Sequence, residues 1–142
     1  MKLQAHQRLK ADSSTGVGGG VLFIAKDTGR VLFLLRSETS ESPHTWCCPG
    51  GGIEPNESVQ QGIHRECQEE IGYHEPIDLQ HMHSDNQGDF TFHNYFAYVP
   101  TEFEPSLNDE HTDYQWCNRF PDPVHPGLMR SINAYRSNLK AA

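Results

Sequence analysis

A glycine-rich turn followed by a short acidic helix constrains this chain more than any other stretch. The segment Gly51–Tyr73 reads GGIEPNESVQQGIHRECQEEIGY. Ser58 and Gln61 have the spacing of a capping box, which begins a helix, and Gly72 suits the left-handed residue that ends one. The apolar residues that recur every four positions predict the face that packs on a sheet: Val59, Ile63, Cys67 and Ile71.

Three glutamates share one stripe of this predicted helix. Glu66 lies three and four residues before Glu69 and Glu70, and such neighbours repel each other by about 0.2–0.5 kcal/mol per pair. The helix dipole disfavours each anion near the C-terminus by a further 0.3–1 kcal/mol or so. A solvated acidic face is one interpretation of this pattern. A bound divalent cation, which would neutralise the charges, accounts better for their position.

The spacing of these residues resembles the Nudix box, G-x5-E-x7-R-E-U-x-E-E-x-G-U with U apolar. The matching residues are Gly51, Glu57, Arg65-Glu66, Glu69-Glu70 and Gly72. Cys67 and Tyr73 stand where aliphatic residues are usual in the family. So many fixed polar and glycine positions are far more specific than a lone glycine motif.

The resemblance implies an α/β fold, a Nudix-type α/β/α sandwich in which a mixed β-sheet is flanked by the box helix and a C-terminal helix. It also implies Mg²⁺, with Mn²⁺ as a possible substitute, because hard cations prefer oxygen ligands. The implied metal ligands are Glu66, Glu69, Glu70 and a backbone carbonyl of Gly50 or Gly51. In the family the arginine, here Arg65, orients the box glutamates, and the first glutamate, here Glu57, supports the loop before the helix.

The general base stays open at this point. Family members use either a box glutamate, for which Glu66 ranks first, or an acid from a later loop, for which Glu110 ranks first. Glu110 also resembles a later metal-binding glutamate of several Nudix enzymes, although a solvated loop acid is nearly as plausible. Arg36 ends a predicted strand and either faces substrate phosphates, as in relatives, or forms a surface ion pair.

Other polar and aromatic residues have less specific interpretations. Phe90 and Phe92, together with Trp46, could stack on a base, but aromatic residues in strands more often belong to the core. We expect Asp85 and Asp89 to serve a turn. We expect His81 and His83 to lie on one face of a strand in a structural role.

The remaining elements follow from apolar runs and turn residues. The predicted strands are Val21–Ala25, Val31–Arg36, Ile77–Ser84, Phe90–Val99 and Tyr114–Cys117, and a second helix is predicted over Gly127–Leu139. Pro49–Gly52 is expected to be a tight loop. The aromatic residues of Phe90–Val99 do not alternate strictly, which predicts a bulge or burial on both faces of that strand. We expect one domain over residues 1–142, with residues 1–15 as a loose lead-in.

Composition limits the partners and the compartment. A formal charge of −8 argues against a dedicated binder of long nucleic acid, but a small phosphorylated substrate with bound cations is compatible with it. The apolar runs are shorter than the roughly 20 residues of a membrane span, and the first residues lack the apolar core of a signal peptide. The four cysteines show no C-x-x-C spacing, so we expect a reducing, cytoplasmic setting. The oligomeric state is open, a homodimer included.

The sequence therefore predicts a Mg²⁺-dependent pyrophosphohydrolase that cleaves a nucleoside diphosphate linked to another group. Nucleoside triphosphates, including modified ones, are the favoured substrates; ADP-ribose and nucleotide sugars stay open. A non-catalytic Nudix module that binds a nucleotide is the alternative from another class, although such modules usually lack some box carboxylates. Hydrolysis of a capped or triphosphorylated RNA end would require a basic track that the composition does not show.

Overall fold

The computed structural model describes residues 15–141, so the predicted lead-in lies outside the described residues except for Thr15. The strands are β1 (Val17–Ala25), β2 (Val31–Arg36), β3 (Trp46–Cys47), β4 (Gly50–Gly52), β5 (Gln80–Gln87), β6 (Phe90–Val99) and β7 (His111–Cys117). The helices are α1 (Val59–Ile71) and α2 (Pro126–Ala141). Neither helix is long and apolar enough, within the described part of the chain, to cross a membrane.

The strands form one mixed sheet with the order β3-β2-β1-β6-β5, to which β4 is added beside β1 and β7 beside β2. β1 and β6 run parallel, and the other pairs are antiparallel. Helix α1 covers one face of the sheet and α2 covers the other, each over its own apolar cluster. The predicted α/β/α sandwich is confirmed.

Helix α1 begins and ends where local residues predict. The Ser58 side chain accepts a hydrogen bond from the Gln61 N–H, the Gln61 side chain accepts one from the Ser58 N–H, and Gly72 ends the helix at φ 66°. Ile63, Cys67 and Ile71 are buried against β1 and β6 side chains in the core. The predicted capping box, apolar face and terminating glycine are confirmed.

Helix α2 packs through its predicted apolar stripe. Leu128 and Ile132 are buried beside Phe33 of β2, and the ring of Tyr135 lies 5.7 Å from that of Phe96. The helix is slightly longer than predicted, beginning at Pro126, because proline is well suited to a first helical turn.

The prediction of a tight loop at Pro49–Gly52 was wrong. Gly50–Gly52 form the short strand β4, which pairs with Gly18–Gly20, so β1 begins at Val17 rather than at Val21. Two tracts without side chains can approach closely, and a Cβ on Gly50 would collide with the carbonyl oxygen of Gly19. The sequence did not indicate this strand because its pairing partner is distant along the chain and because glycine is generally depleted in strands.

Strand β5 also departs from the prediction, because it covers Gln80–Gln87 instead of Ile77–Ser84. Asp85 therefore lies within a strand and not in a turn, and the two residues between β5 and β6 are Gly88 and Asp89. A bulge is present in this hairpin, but it falls on β5, between His81 and His83, and not in the strand Phe90–Val99 for which it was predicted.

The bulge corrects a second expectation, that His81 and His83 share a face. His81 contacts the ring of Tyr95, whereas Nδ1 of His83 lies 3.1 Å from Oγ of Ser131 on helix α2. An extra residue in one strand shifts the alternation of side chains by one position. The two histidines therefore point to opposite faces.

Strand β7 begins at His111, three residues before the predicted strand.

Candidate functional site

Two carboxylates of α1 are buried against the glycine strand β4. The side chains of Glu66 and Glu70 are each only 2% exposed. The backbone N–H of Gly50 donates to Oε1 of Glu70 at 3.1 Å. A Cβ added to Gly51 would lie 2.5 Å from Oε2 of Glu66, so the missing side chain provides the space that this carboxylate occupies.

The surroundings of Glu70 disfavour its negative charge. Burial raises the pKa of Glu70 well above its ordinary value, and the charges of Glu66 and Glu110 raise that pKa further. The hydrogen bond from Gly50 acts in the opposite direction but does not compensate. Glu66 from the helix and Glu110 from the loop before β7 therefore both repel the charge of Glu70, and a bound proton or cation would relieve this repulsion.

Arg65 connects the loop before α1 with the acidic face of the helix. Its Nη2 lies 2.8 Å from Oε1 of Glu57, and its Nη1 lies 3.2 Å from Oε2 of Glu66 and 3.4 Å from Oε2 of Glu69. Nη2 also donates to the carbonyl oxygen of Gly52 at 3.0 Å. One guanidinium thus holds three box glutamates, Glu57, Glu66 and Glu69, and the end of β4 in fixed positions.

Glu57 supports Arg65 from the loop side. Its Oε1 accepts a hydrogen bond from the N–H of Glu54 at 2.9 Å as well as those from Arg65. Burial opposes the charge of Glu57, but the hydrogen bonds from Arg65 and Glu54 prevail and lower its pKa. Burial likewise opposes the charge of Arg65, and the bonds to Glu57 outweigh it, so the pKa of Arg65 is raised.

Glu69 and Glu110 lie at the margin of the buried pair. Nδ2 of Asn108 donates to the backbone carbonyl of Glu69 at 3.0 Å and to Oε2 of Glu110 at 3.2 Å. Asn108 therefore fixes the loop acid beside the last turn of α1. Sequence reasoning missed Asn108, because a single loop asparagine gives no indication of the helix that it contacts.

The donor set suits a hard divalent ion, although it does not form a closed site. Across residues 15–141, no group of three or more His, Cys, Asp or Glu side chains is arranged to hold a metal ion. Arg65 engages two of the box carboxylates, Glu66 and Glu69. The pair formed by Glu66 and Glu70 nevertheless offers buried carboxylate oxygens beside the backbone of β4. Mg²⁺ needs only a few such ligands, since it keeps several waters and binds substrate phosphate.

A cavity of about 430 Å³ opens on the α2 side of the sheet, next to the carboxylates. Gly50 and Gly51 belong both to its lining and to the wall behind which Glu66 and Glu70 are buried. The volume falls in the range of roughly 300–1,000 Å³ that is typical of small-molecule sites. The residues at the other side of this cavity are Asp85, Gln87, Phe90, Phe92, Asn94 and Arg130.

Arg36 and His125 line the same cavity. Nε of Arg36 donates to the backbone carbonyl of Glu41 at 2.6 Å. Burial and the positive charge of Arg36 lower the pKa of His125 to about 4. Nδ1 of His125 accepts a hydrogen bond from the Gly127 N–H at 3.1 Å, so the neutral ring carries its proton on Nε2.

Two aromatic side chains, Phe90 and Phe92, line the cavity. Phe90 and Phe92 stack with ring centroids 6.4 Å apart, and both rings lie against β1, where a Cβ on Gly18 would be 2.7 Å from Cδ1 of Phe92. Both rings therefore line the cavity, while Trp46 packs in the core cluster below α2. Asn94, His125 and Arg130 were not identified from the sequence, since nothing local distinguishes them from other strand and helix residues.

Comparison with known proteins identifies the family. The NUDIX domain model matches residues 15–119. The CTP pyrophosphohydrolase of Escherichia coli K12 is 29% identical over 127 residues, which cover 86% of this chain and 93% of that protein. The nucleoside triphosphatase NudI of Escherichia coli O17:K52:H18 is 26% identical over 120 residues, covering 74% of this chain and 83% of NudI.

Solved structures share the fold at lower identity. The MutT protein of Methanosarcina mazei Go1 superposes with a TM-score of 0.67 at 21% identity, covering 87% of this chain and 94% of that one. The MutT NUDIX hydrolase of Burkholderia pseudomallei gives a TM-score of 0.65 at 21% identity, covering 82% of this chain and 95% of that one.

Proposed function

The chain belongs to the Nudix hydrolase family, and from that premise we propose that it is a Mg²⁺-dependent pyrophosphohydrolase of nucleoside triphosphates, modified ones included. Water attacks phosphorus, one phosphoanhydride bond breaks, and the products are a nucleoside monophosphate and pyrophosphate. The names of two relatives, a CTP pyrophosphohydrolase and a nucleoside triphosphatase, support this substrate class. The four cysteines, all free thiols in the structure, support a reducing cytoplasmic setting.

One observation carries the proposal: the buried pair Glu66 and Glu70 lies behind the glycine wall of a cavity large enough for a nucleotide. Two adjacent carboxylates without water are unfavourable unless a cation or a proton accompanies them. A fold selected only for stability would replace them with apolar side chains.

We assign the metal to Glu66, Glu69 and Glu70, with a backbone carbonyl of Gly50 or Gly51, and we keep Glu110 for the general base. Mg²⁺ bound there would neutralise phosphate charge and lower the pKa of the attacking water. Mn²⁺ would serve as a substitute.

Arg65 acts in this proposal as a positioning residue, since its contacts to Glu57 and the Gly52 carbonyl hold it while it orients Glu66 and Glu69. Gly72 contributes indirectly by ending α1 just after Glu69 and Glu70.

For the general base we favour Glu110 over Glu66. Oε2 of Glu66 already accepts from Nη1 of Arg65 at 3.2 Å, and this contact orients the carboxylate for ligation. Glu110 belongs to the loop before β7, where Asn108 orients its carboxylate. Its carboxylate would take the proton of the attacking water.

Arg36 is the cation that we propose for the phosphates. It lines the cavity together with Gly50 and Gly51, and its Nε is fixed by the Glu41 carbonyl while the rest of the guanidinium can donate to an anion. A contact of this kind stabilises negative charge on the phosphates during attack.

The test is hydrolysis of nucleoside triphosphates, ADP-ribose, nucleotide sugars and dinucleoside polyphosphates, with Mg²⁺ and with a chelator. Phosphorus NMR of products formed in oxygen-18 water identifies the phosphorus that is attacked. We expect metal-dependent release of nucleoside monophosphate and pyrophosphate from triphosphates. Glu70→Gln should abolish turnover, and Glu104→Gln, at an exposed glutamate outside the cavity, is the matched control.

Two other results would replace the proposal. Preferential cleavage of ADP-ribose or a nucleotide sugar would keep the enzyme and change its substrate. Nucleotide binding without turnover on any substrate would make the chain a binding module.

A further inference from the structure

The geometry points to a base-recognition site: we propose that Asp85 and Asn94 accept hydrogen bonds from the exocyclic amino group of a nucleobase. Cytosine and adenine nucleotides would bind, and their oxo counterparts, uracil and hypoxanthine, would be rejected. The inference rests on the proposed function, which places the phosphates of the substrate beside Gly50. It adds the bases that the same cavity would recognise.

The position across the sheet suits a nucleoside. Gly20 pairs with Gly50 on one side and with Asn94 on the other. Two strand spacings therefore separate Asn94 from the glycine wall, roughly 10 Å at about 4.8 Å each. With phosphates at Gly50, a nucleoside reaches across β1 to β6, where the Phe90 and Phe92 rings offer a flat apolar surface for the base.

Asn94 presents an oxygen to this part of the cavity. It lines the cavity and is only 2% exposed, and its Nδ2 donates to Oγ of Ser131 at 2.8 Å. Oγ of Ser131, which is fully buried, also lies 3.1 Å from Nδ1 of His83. Within residues 15–141 no hydrogen bond is made to Oδ1 of Asn94. A carbonyl oxygen that opens on a cavity from an otherwise buried side chain can accept from a ligand that donates to it.

Asp85 supplies the second acceptor. Its carboxylate is held by Arg130, whose Nη2 lies 2.9 Å from Oδ2 and whose Nε lies 3.3 Å from Oδ1. Nε2 of Gln87 donates to Oδ2 at 3.4 Å, so most of the contacts fall on that oxygen. A carboxylate has about four lone-pair sites. Oδ1 therefore keeps capacity for a further donor.

The two acceptors are diagonal neighbours on one face of the sheet. Asp85 is paired with Phe92, and Asn94 follows Phe92 by two residues on β6. Diagonal neighbours of an antiparallel pair are about 7–8 Å apart, which leaves room for one amino group to donate to both at about 2.9 Å. A carbonyl oxygen in its place would face the acceptor oxygens of Asp85 and Asn94, because the neighbouring donors of Arg130 and Gln87 are directed at the Asp85 carboxylate.

The experiment compares substrates that differ only in this group: CTP with UTP, and ATP with ITP. We expect kcat/KM to favour the amino member of each pair by about 10- to 150-fold, the worth of hydrogen bonds to a charged group. In Asp85→Asn, which adds donors to the site, the preference should fall at least about tenfold. Arg130 is 49% exposed at its side chain and stays solvated in that variant.

Arg130→Gln separates recognition from stability. If Asp85 only attaches β5 to α2, Asp85→Asn and Arg130→Gln will lower the melting temperature alike and neither will change the CTP/UTP ratio, which would overturn the inference. If Asp85→Asn does not fold, Asn94→Leu tests the same site, since Ser131 keeps its contact to His83. That variant should lose the amino preference as well.

Titration calorimetry with CMP and UMP, without metal, measures base recognition separately from turnover, so the recognition site and the hydrolase function can be tested independently. Equal turnover of CTP and UTP would reject base recognition while the hydrolase function stands. Tighter binding of CMP than UMP without any turnover would reject the hydrolase function and retain the recognition site. Equal binding of CMP and UMP together with equal turnover would leave no support for the site.

Discussion

Glu66 and Glu70 lie one helical turn apart, both buried, with the Glu70 carboxylate bonded to the Gly50 N–H and the Glu66 carboxylate against Gly51. The arrangement places two carboxylates side by side where each is only 2% exposed to solvent. Burial and the charge of Glu66 raise the pKa of Glu70, so this side chain favours the neutral acid by itself and the anion once a cation binds. The glycine strand thus connects the stability of the fold with occupancy of the site.

The first prediction concerns Glu70→Gln, which mimics the neutral acid. We expect the melting temperature without metal to stay close to that of the wild type or to rise, because no buried charge is lost. Mg²⁺ at 100 times its Kd should stabilise the wild type by about 2.7 kcal/mol and the variant by much less. Thermal unfolding with and without Mg²⁺ measures both quantities. An equal metal-induced shift in the two proteins would exclude Glu70 as a ligand.

The second prediction concerns Arg65→Met. The substitution removes the ion-pair partner of Glu57 and of buried Glu66, and breaking a buried pair on one side costs about 3–5 kcal/mol. We expect a loss near the lower end of that range, about 3 kcal/mol in the free energy of unfolding measured with urea, because Arg65 is partly solvated.

A second arginine in the chain is a matched control. Nε of Arg30 lies 2.6 Å from Oε2 of Glu102 at the surface, where water screens the pair and its contribution to stability is small. Arg30→Met should therefore lower the free energy of unfolding far less than Arg65→Met does. Equal losses in the two variants would show that Arg65 has no special structural role.

The elements that the sequence predicts well are those whose causes are local. The limits of α1 follow from Ser58, Gln61 and Gly72, and its acidic stripe follows from helical spacing. β2 and β6 match their predicted ranges because apolar runs bounded by turns define them. In the same way, residue spacing along one helix is enough to select the box glutamates as candidates for the site.

The missing parts of the site depend on non-local pairing. Strand β4 exists because two glycine tracts about 30 residues apart meet, and neither tract favours a strand by itself. Asp85 meets Arg130 across 45 residues, so its turn-like neighbours were misleading. Asn94 became a candidate only when the sheet register brought it beside the cavity.

The third prediction tests the space at Gly51. In Gly51→Ala the new methyl would lie 2.5 Å from Oε2 of Glu66, and Arg65 restrains that carboxylate. We expect the carboxylate to be displaced, with a loss of kcat of at least about 100-fold because a displacement near 1 Å has that effect. The cost in stability should stay near the roughly 1–3 kcal/mol of an overpacked site. Gly29→Ala, in a turn at φ 75° where a Cβ meets no neighbour, is a control for loss of stability alone, because backbone strain should destabilise it without lowering kcat. Unchanged kcat in Gly51→Ala would contradict the geometry.

The fourth prediction separates Glu110 from Glu69. If Glu110 is the general base, Glu110→Gln should lower kcat by about 10²–10⁴-fold and change the metal affinity little. Glu69→Gln should weaken metal binding, so that higher Mg²⁺ concentrations recover part of the rate. Rates measured over a Mg²⁺ series distinguish the two residues. An unchanged rate for Glu110→Gln would return it to the role of a loop acid.

The last prediction concerns pH and His125. Its pKa is about 4 in the folded protein against about 6.5 in an unfolded chain, because burial and Arg36 disfavour the cation. Between these values the unfolded state binds more protons, so stability must rise with pH from about 4 to 6.5 and this contribution is complete above about 6.5. His125→Asn keeps an acceptor for the Gly127 N–H but cannot titrate. The free energy of unfolding is measured with urea at about pH 5 and about pH 7.5, on either side of the ordinary histidine pKa. The difference between the two pH values should be smaller for His125→Asn than for the wild type. His74→Asn, at an exposed histidine, should behave like the wild type, and an identical pH dependence in His125→Asn would show that other groups cause the acid lability.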